Sequence, residues 1–379
     1  MNIEKFFSAL NELGGEFYTG VPDSLLGPFI DGIVDRYGIS GQHIVAANEG
    51  AAVGLAAGHY LATSRPAVVY MQNSGLGNAV NPICSLLHRK VSCIPAIFVI
   101  GWRGEPGVKD EPQHIFQGEI TLALLDCLEI PYFVISKDTD DIGSAVTKFK
   151  ECLDSGQSVA FVIRKDGLSN SNKVSYKSGN DSSLSREDAL KTILSATDSD
   201  DSIYVCSTGK LSREVFEIRE QKAEGHERDF LTVGAMGHSL MIAYGIALNK
   251  PEKRVYCLDG DGAVIMHMGS LAVAGAHGVK NLVHVVINNG AHETVGGLQT
   301  VGGSFEMFKT AQTLGYSKAF RAKDDSELRE VLEASRNMEG PIFIEVLCNL
   351  ASRANLGRPG TTPKQNRDEL MTFLSGGVK

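Results

Sequence analysis

Within RVYCLDGDGAVIMHMGSLAVAGAHGVKNLVHVVINNGAHETVGG, residues 254–297, an aspartate between two glycines and a pair of asparagines flank 25 residues, Ala263 to Ile287. Each polar group closes an apolar, β-rich run, so both fall at the carboxyl ends of strands, where open α/β sheets bind ligands. Asp261 and Asn289 are hard oxygen donors of the kind Mg²⁺ takes beside phosphate oxygens. Gly260 and Gly262, with Ala263 behind them, let backbone amides approach a phosphate, and the helix beginning there offers its positive end. Either motif alone is most often a turn. Together, at the ends of two strands joined by one crossover helix, they point to a diphosphate gripped through a divalent cation.

Something must hold these groups in place. Apolar runs alternate with helical stretches along the chain: FYTGV, HIVAA, AVVYMQ, AIFVIG, YFVIS and VAFVIR, then SIYVCST, FLTVG, RVYCLDG, LVHVVINN and PIFIEVL. That alternation predicts α/β architecture, two similar domains with mainly parallel sheets flanked by helices. A polar stretch at 165–184 predicts an interdomain linker, set at 169–184 between a domain at 1–168 and one at 185–379 that includes the C-terminal tail. Residues 132–164 and 318–347 share one grammar of strand, acidic cap, helix, glycine and strand, which favours one topology used twice. The amphipathic start (Ile3, Phe6, Phe7, Leu10, Leu13) reads as a core helix and not as a signal peptide.

Composition narrows the class. With 43% hydrophobic and 21% charged residues, 379 residues suit two soluble domains, and no apolar run approaches a membrane span. A net charge of -9 argues against nucleic-acid or anionic-membrane partners. Seven scattered cysteines without CxxC spacing (Cys84, Cys93, Cys127, Cys152, Cys206, Cys257, Cys348) are expected to be buried, reduced thiols of a cytoplasmic protein.

The Asp261 and Asn289 arrangement resembles that of thiamine-diphosphate enzymes. The resemblance implies Asp261, the Asn289 side chain and the Ala291 carbonyl as Mg²⁺ ligands, Asn289 being favoured over Asn288. It also implies a glutamate that protonates the cofactor's aminopyrimidine, and HIVAANEGAAVGLAAGHY places Glu49 at a helix start after a β-run. Taken alone, that carboxylate would merely complement a helix dipole. Met236 in GAMGHS stands where the family supports the bent cofactor, and Thr208 in STGK looks like a cofactor contact.

Four further loops, YTGVPDSLL (18–26), YMQNSGLGNAVNP (70–82), GWRGEPGVKDEPQH (101–114) and NNGAHETVGG (288–297), look like those of the phosphonopyruvate decarboxylase branch of the 2-oxo acid decarboxylase family. That branch implies decarboxylation of 3-phosphonopyruvate to phosphonoacetaldehyde in phosphonate biosynthesis, with sulfopyruvate decarboxylation and a noncatalytic subunit as rivals. It further implies at least a homodimer with sites at the subunit interface. For a small dianionic 2-oxo acid, Arg103 and Lys109 are candidate charge partners, and Gln72, Asn73 and Ser74 candidate neutral donors. Which of them meets the phosphonate is open. His114, with Asp23 or Ser24, is a candidate proton relay; His292 and Glu293 are placed to face substrate instead. Arg353, Arg358 and Lys364 could fold over an anionic site, or belong to a solvated tail.

Overall fold

A computed structural model describes residues 1–177, 180–199 and 201–376. Residues 178–179 of the expected linker and 377–379 of the expected tail lie outside the described residues. The chain divides into two compact units, Met1–Ser175 and Tyr176–Lys379.

The first unit holds β1 (Tyr18–Gly20), β2 (His43–Val45), β3 (Val68–Gln72), β4 (Ile97–Gly101), β5 (Tyr132–Ile135) and β6 (Val159–Ile163), ordered β2-β1-β3-β4-β6-β5. Every pairing is parallel. β4 and β6 are buried at all positions, which is why they read as unbroken apolar runs instead of alternating ones. The helix Ile3–Glu12 buries Ile3, Phe6, Phe7 and Leu10 against this sheet, with Phe6 edge-on to Phe161 at 5.1 Å and to Phe29 at 5.6 Å.

The second unit holds β7 (Ser202–Cys206), β8 (Asp229–Leu231), β9 (Arg254–Gly260), β10 (Leu282–Asn288), a small hairpin β11 (Ala291–His292) and β12 (Leu298–Gln299), then β13 (Lys318–Ala322) and β14 (Ile342–Leu347). Its parallel sheet runs β13-β14-β10-β9-β7-β8. Counted from each unit's first strand, hairpin apart, both sheets read second, first, third, fourth, sixth, fifth. One topology is therefore used twice. β9 serves two cores at once: Tyr256 and Leu258 pack on one face, Val255 and Cys257 on the other. Arg219 is wholly buried and forks onto Asp229, with Nε and Nη2 each at 3.1 Å from a carboxylate oxygen.

Three features differ from expectation. The crossover between β9 and β10 is two short helices, Asp261–Met266 and Gly269–Ala276, broken where His267 leaves helical geometry at φ -133° and ψ 48°. The polar segment expected as a linker is docked at its far end, where Asn180 Nδ2 donates to the Asn288 carbonyl at 3.0 Å and Ser182 Oγ to that of Leu347 at 2.8 Å. Only Cys206, Cys257 and Cys348 are buried; Cys152 is partly covered, and Cys84, Cys93 and Cys127 are exposed, although all seven are free thiols. Apolar neighbours in sequence do not bury a residue on the outer face of a helix or at its end, as with Cys127 closing the helix Pro112–Cys127.

Candidate active site

In the first unit, polar side chains gather at the carboxyl ends of four adjacent strands. After β2, Asn48 caps the helix Glu49–Thr63 by accepting from Ala51 N at 2.9 Å, which sets Glu49 in the first turn. The Glu49 carboxylate is 6% exposed and accepts from Asn78 Nδ2 at 2.8 Å. Gly75 walls it in: a Cβ there would lie 2.5 Å from Oε1, so any other residue at 75 would push the carboxylate out of this position.

After β1 and β3 a chain of hydrogen bonds forms. Ser74 Oγ donates to Gln72 Oε1 at 2.7 Å, and Gln72 Nε2 donates to Asp23 at 2.6 Å. Asp23 is fully buried, and burial raises its pKa against the pull of Gln72 and Arg103. Asn73 is occupied within the chain, donating to the Arg103 carbonyl and to Thr121 Oγ1, each at 2.8 Å, and accepting from Arg103 N at 3.1 Å. Its amide pins the loop after β4 and has no donor left over for a ligand.

That loop presents Arg103, whose Nη1 reaches Ser24 Oγ at 3.2 Å. Its other edge is held by Asp110, and His114 in the first turn of the next helix also bonds Asp110, at 2.9 Å. Lys109 is exposed, whereas the Arg103 side chain is only 20% exposed. The structure thus brings together Asp23, Ser24, Gln72, Ser74, Arg103 and His114, and leaves Lys109 at the surface.

In the second unit the glycine-flanked aspartate begins a helix at the end of β9, beside the loop after β10. Asp261 is 2% exposed. Its partners are neutral: the Thr300 hydroxyl, and the backbone amides of Gly262, Asn289 and Asp261 itself. Burial pushes its pKa up to about 7. A buried carboxylate surrounded by neutral donors is short of one cation, so the site fits a metal. Gly302 closes its far side, where a Cβ would stand 2.6 Å from Asp261 Oδ2.

Asn288 is enmeshed, donating to the Gly302 carbonyl at 2.9 Å and to Glu345 at 2.8 Å while accepting from Gly290 N. Asn289 Nδ2 donates to Glu293 at 2.8 Å, its Oδ1 accepts from Ala291 N at 3.1 Å, and its own amide meets Asp261. Glu293 does not face an open site: its carboxylate is bound by Arg186 and lies 3.5 Å from Lys210 Nζ. His292 packs its ring where a Gly262 Cβ would be 2.9 Å away, and burial lowers its pKa to about 4, keeping it neutral. Met236, between Ala235 and Gly237 at left-handed φ of 52° and 84°, brings Cε to 3.4 Å from the same point. Gly260 is open, with nothing within 4 Å of a Cβ, and partly buried Thr208 stands in the turn after β7. Arg353 turns away to Glu187 and Glu217, at 2.6 and 2.5 Å, while Arg358 and Lys364 are exposed.

Sequence reasoning missed Asp110, Asn78, Thr300 and the Arg186 pairing of Glu293. Asp110 carried a signal, standing four residues before His114 at the start of a helix. The others meet their partners only through tertiary folding.

Comparison with known proteins finds one family domain in each unit. The model for the N-terminal TPP binding domain of thiamine pyrophosphate enzymes matches residues 3–125, and that for their C-terminal TPP binding domain matches 207–346. The chain is 32% identical to phosphonopyruvate decarboxylase of Streptomyces viridochromogenes, over 97% of this chain and 94% of that protein. It is 30% identical to phosphonopyruvate decarboxylase of Streptomyces hygroscopicus, over 94% and 90%. Sulfopyruvate decarboxylase of Methanosarcina acetivorans is 27% identical over 83% of this chain and 81% of that protein.

Proposed function

This chain belongs to the thiamine-diphosphate-dependent 2-oxo acid decarboxylase family, and we propose that within it the substrate is 3-phosphonopyruvate, cleaved to phosphonoacetaldehyde and CO₂ in phosphonate biosynthesis. The observation that carries the choice is Arg103, a largely buried guanidinium that bonds Ser24 and acts on Asp23, which Gln72 also bonds, in the unit that carries Glu49. Full-length similarity to two phosphonopyruvate decarboxylases supports it.

When bound, thiamine diphosphate supplies the electron sink that lets a carboxylate leave. Glu49 would hold the proton exchanged with the aminopyrimidine, and Met236 and Thr208 would line the cofactor. Asp261, Asn289 Oδ1 and the Ala291 carbonyl would hold Mg²⁺ against the diphosphate, with Gly260, Gly262 and Ala263 admitting the phosphates. Arg103 would take the substrate's distal anion together with Ser24, with Gln72 and Ser74 as neutral neighbours. A carboxylate left to neutral donors is not overbound, which favours its loss. His114 and Asp23 would supply the one proton that replaces CO₂ at the product carbon, and would lend and then retrieve the proton on the adjoining oxygen as its carbonyl is consumed and restored. We include assembly as at least a homodimer in the proposal, which light scattering with and without cofactor tests.

The deciding experiment measures CO₂ release from phosphonopyruvate, sulfopyruvate and pyruvate with thiamine diphosphate and Mg²⁺. Highest kcat/KM on phosphonopyruvate is expected. Preference for sulfopyruvate would move the chain to the second reading, which the similarity to the Methanosarcina enzyme keeps in view.

A further inference from the structure

The Asp110 carboxylate accepts hydrogen bonds from five donors. Oδ2 receives Arg103 Nε and Gly104 N, each at 2.8 Å. Oδ1 receives Arg103 Nη2 at 2.5 Å, Glu111 N at 2.8 Å and His114 Nδ1 at 2.9 Å. Burial opposes its ionisation, but the bonds from Arg103, His114 and Gly104 outweigh it and hold Asp110 far below the usual carboxylate range.

An ionised carboxylate can only accept. His114 Nδ1 must therefore carry the proton, which leaves the Nε2 lone pair as the ring's working end. The guanidinium is sorted in the same way. Its Nε and Nη2 edge is matched fork to fork with Asp110, while Nη1 stands at Ser24 Oγ. Its positive charge is already shared, so an anion meeting Nη1 is oriented more than it is overbound. The charged and titratable groups around the pair include buried Asp23, on which both Arg103 and His114 act electrostatically.

From this geometry we infer that Asp110 is a positioning residue of the decarboxylation, fixing His114 with Nε2 turned away from Asp110 for proton transfer and Arg103 with its Nη1 edge presented, beside Ser24 Oγ, to the substrate's distal anion. The inference rests on the substrate reading above only for Arg103; the hold on His114 stands independently. A loop-anchoring role alone would need only the bonds from Gly104 N and Glu111 N and would be indifferent to the imidazole tautomer.

The test uses the holoenzyme with ¹⁵N-labelled histidine, the His114 signals being assigned by their loss in His114→Gln. At about pH 8, above the ordinary imidazole range, His114 is expected as the Nδ1–H tautomer. A ring protonated at Nε2 overturns the inference without any further variant. Asp110→Asn must turn an NH₂ toward donors at one oxygen position or the other, so it is expected to shift His114 toward the Nε2–H tautomer. With it, kcat should fall on the order of 100-fold, KM should rise, and thiamine diphosphate affinity should stay near normal.

An Asp110→Asn enzyme that binds cofactor and keeps the native tautomer and kcat overturns the inference. Should that variant fail to fold, Arg103→Lys continues the test, with a rise in KM larger than the fall in kcat expected and the reverse counting against the inference. Absence of turnover on phosphonopyruvate by the unaltered enzyme sinks the substrate reading, while the tautomer still decides what Asp110 does to His114.

Discussion

Asn289 Nδ2 donates to Glu293 Oε2 at 2.8 Å, and the same carboxylate is bound by Arg186, whose other edge is forked by buried Glu214 at 2.7 Å. An amide whose nitrogen is held presents its oxygen in one direction, which is how outer partners tune a metal ligand. Glu293→Ala is therefore expected to weaken Mg²⁺ about 10- to 100-fold. Titrating Mg²⁺ against the fluorescence change of cofactor binding measures this; unchanged Mg²⁺ affinity would remove Asn289 from the ligand set.

Glu49 and Gly75 make a paired prediction. Glu49→Gln keeps size and burial, so thermal stability should hold while turnover falls by about 100-fold or more. Gly75→Ala retains the glutamate but puts a Cβ 2.5 Å from its Oε1, forcing the carboxylate aside. Turnover should fall in that variant too. Near-normal kcat in both would mean that the position of this carboxylate is irrelevant to the reaction.

Asp261 sets a pH dependence. Its pKa rises from an ordinary 3.8 to about 7 through burial. The raised value means that this group stabilises the metal-free protein fully below about pH 4, and that the contribution is lost as pH climbs through 7. Mg²⁺ needs the ionised form, so its affinity should increase with pH up to about 7 and then level off. The difference in melting temperature with and without Mg²⁺ and cofactor should widen over the same window. A difference that is flat from pH 5 to 8 would contradict the assignment.

Arg219 is a stability prediction free of any functional reading. It is wholly buried against Asp229, bonds Glu224 at 2.7 Å and lies over the Tyr204 ring at 5.0 Å. Arg219→Leu strands Asp229, which is itself completely buried, so a loss of about 3–5 kcal/mol is expected. Urea unfolding of the variant checks it, and a loss below about 1 kcal/mol would show that Asp229 takes up a proton without penalty.

Most of the architecture was legible because strands buried on both faces leave unbroken apolar runs, as with AIFVIG for β4 and LVHVVINN for β10. The hairpin of β11 and β12 was not, since two residues per strand carry no periodicity. The helix break at His267 escaped for a similar reason: GAVIMHMGSLAVAGA contains no proline to announce it. Among site residues, Asp261, Asn289 and Glu49 stand at strand or helix ends, where position follows from local pattern. Thr300 and Asp110 act on residues brought to them by folding, and Glu293 looked like a substrate-facing acid until Arg186, 107 positions away, was seen to bind it.

The repeated strand order has a consequence of its own. Matching strands one for one pairs Asp23 with Thr208 after the first, Glu49 with Met236 after the second, Ser74 with Asp261 after the third and Arg103 with Asn289 after the fourth. Each sheet is a socket with the same four pins, fitted differently in the two units. The scaffold supplies addresses and the loops supply reagents, so altered chemistry in this chain can come from refitting one pin without rebuilding the sheet that holds it.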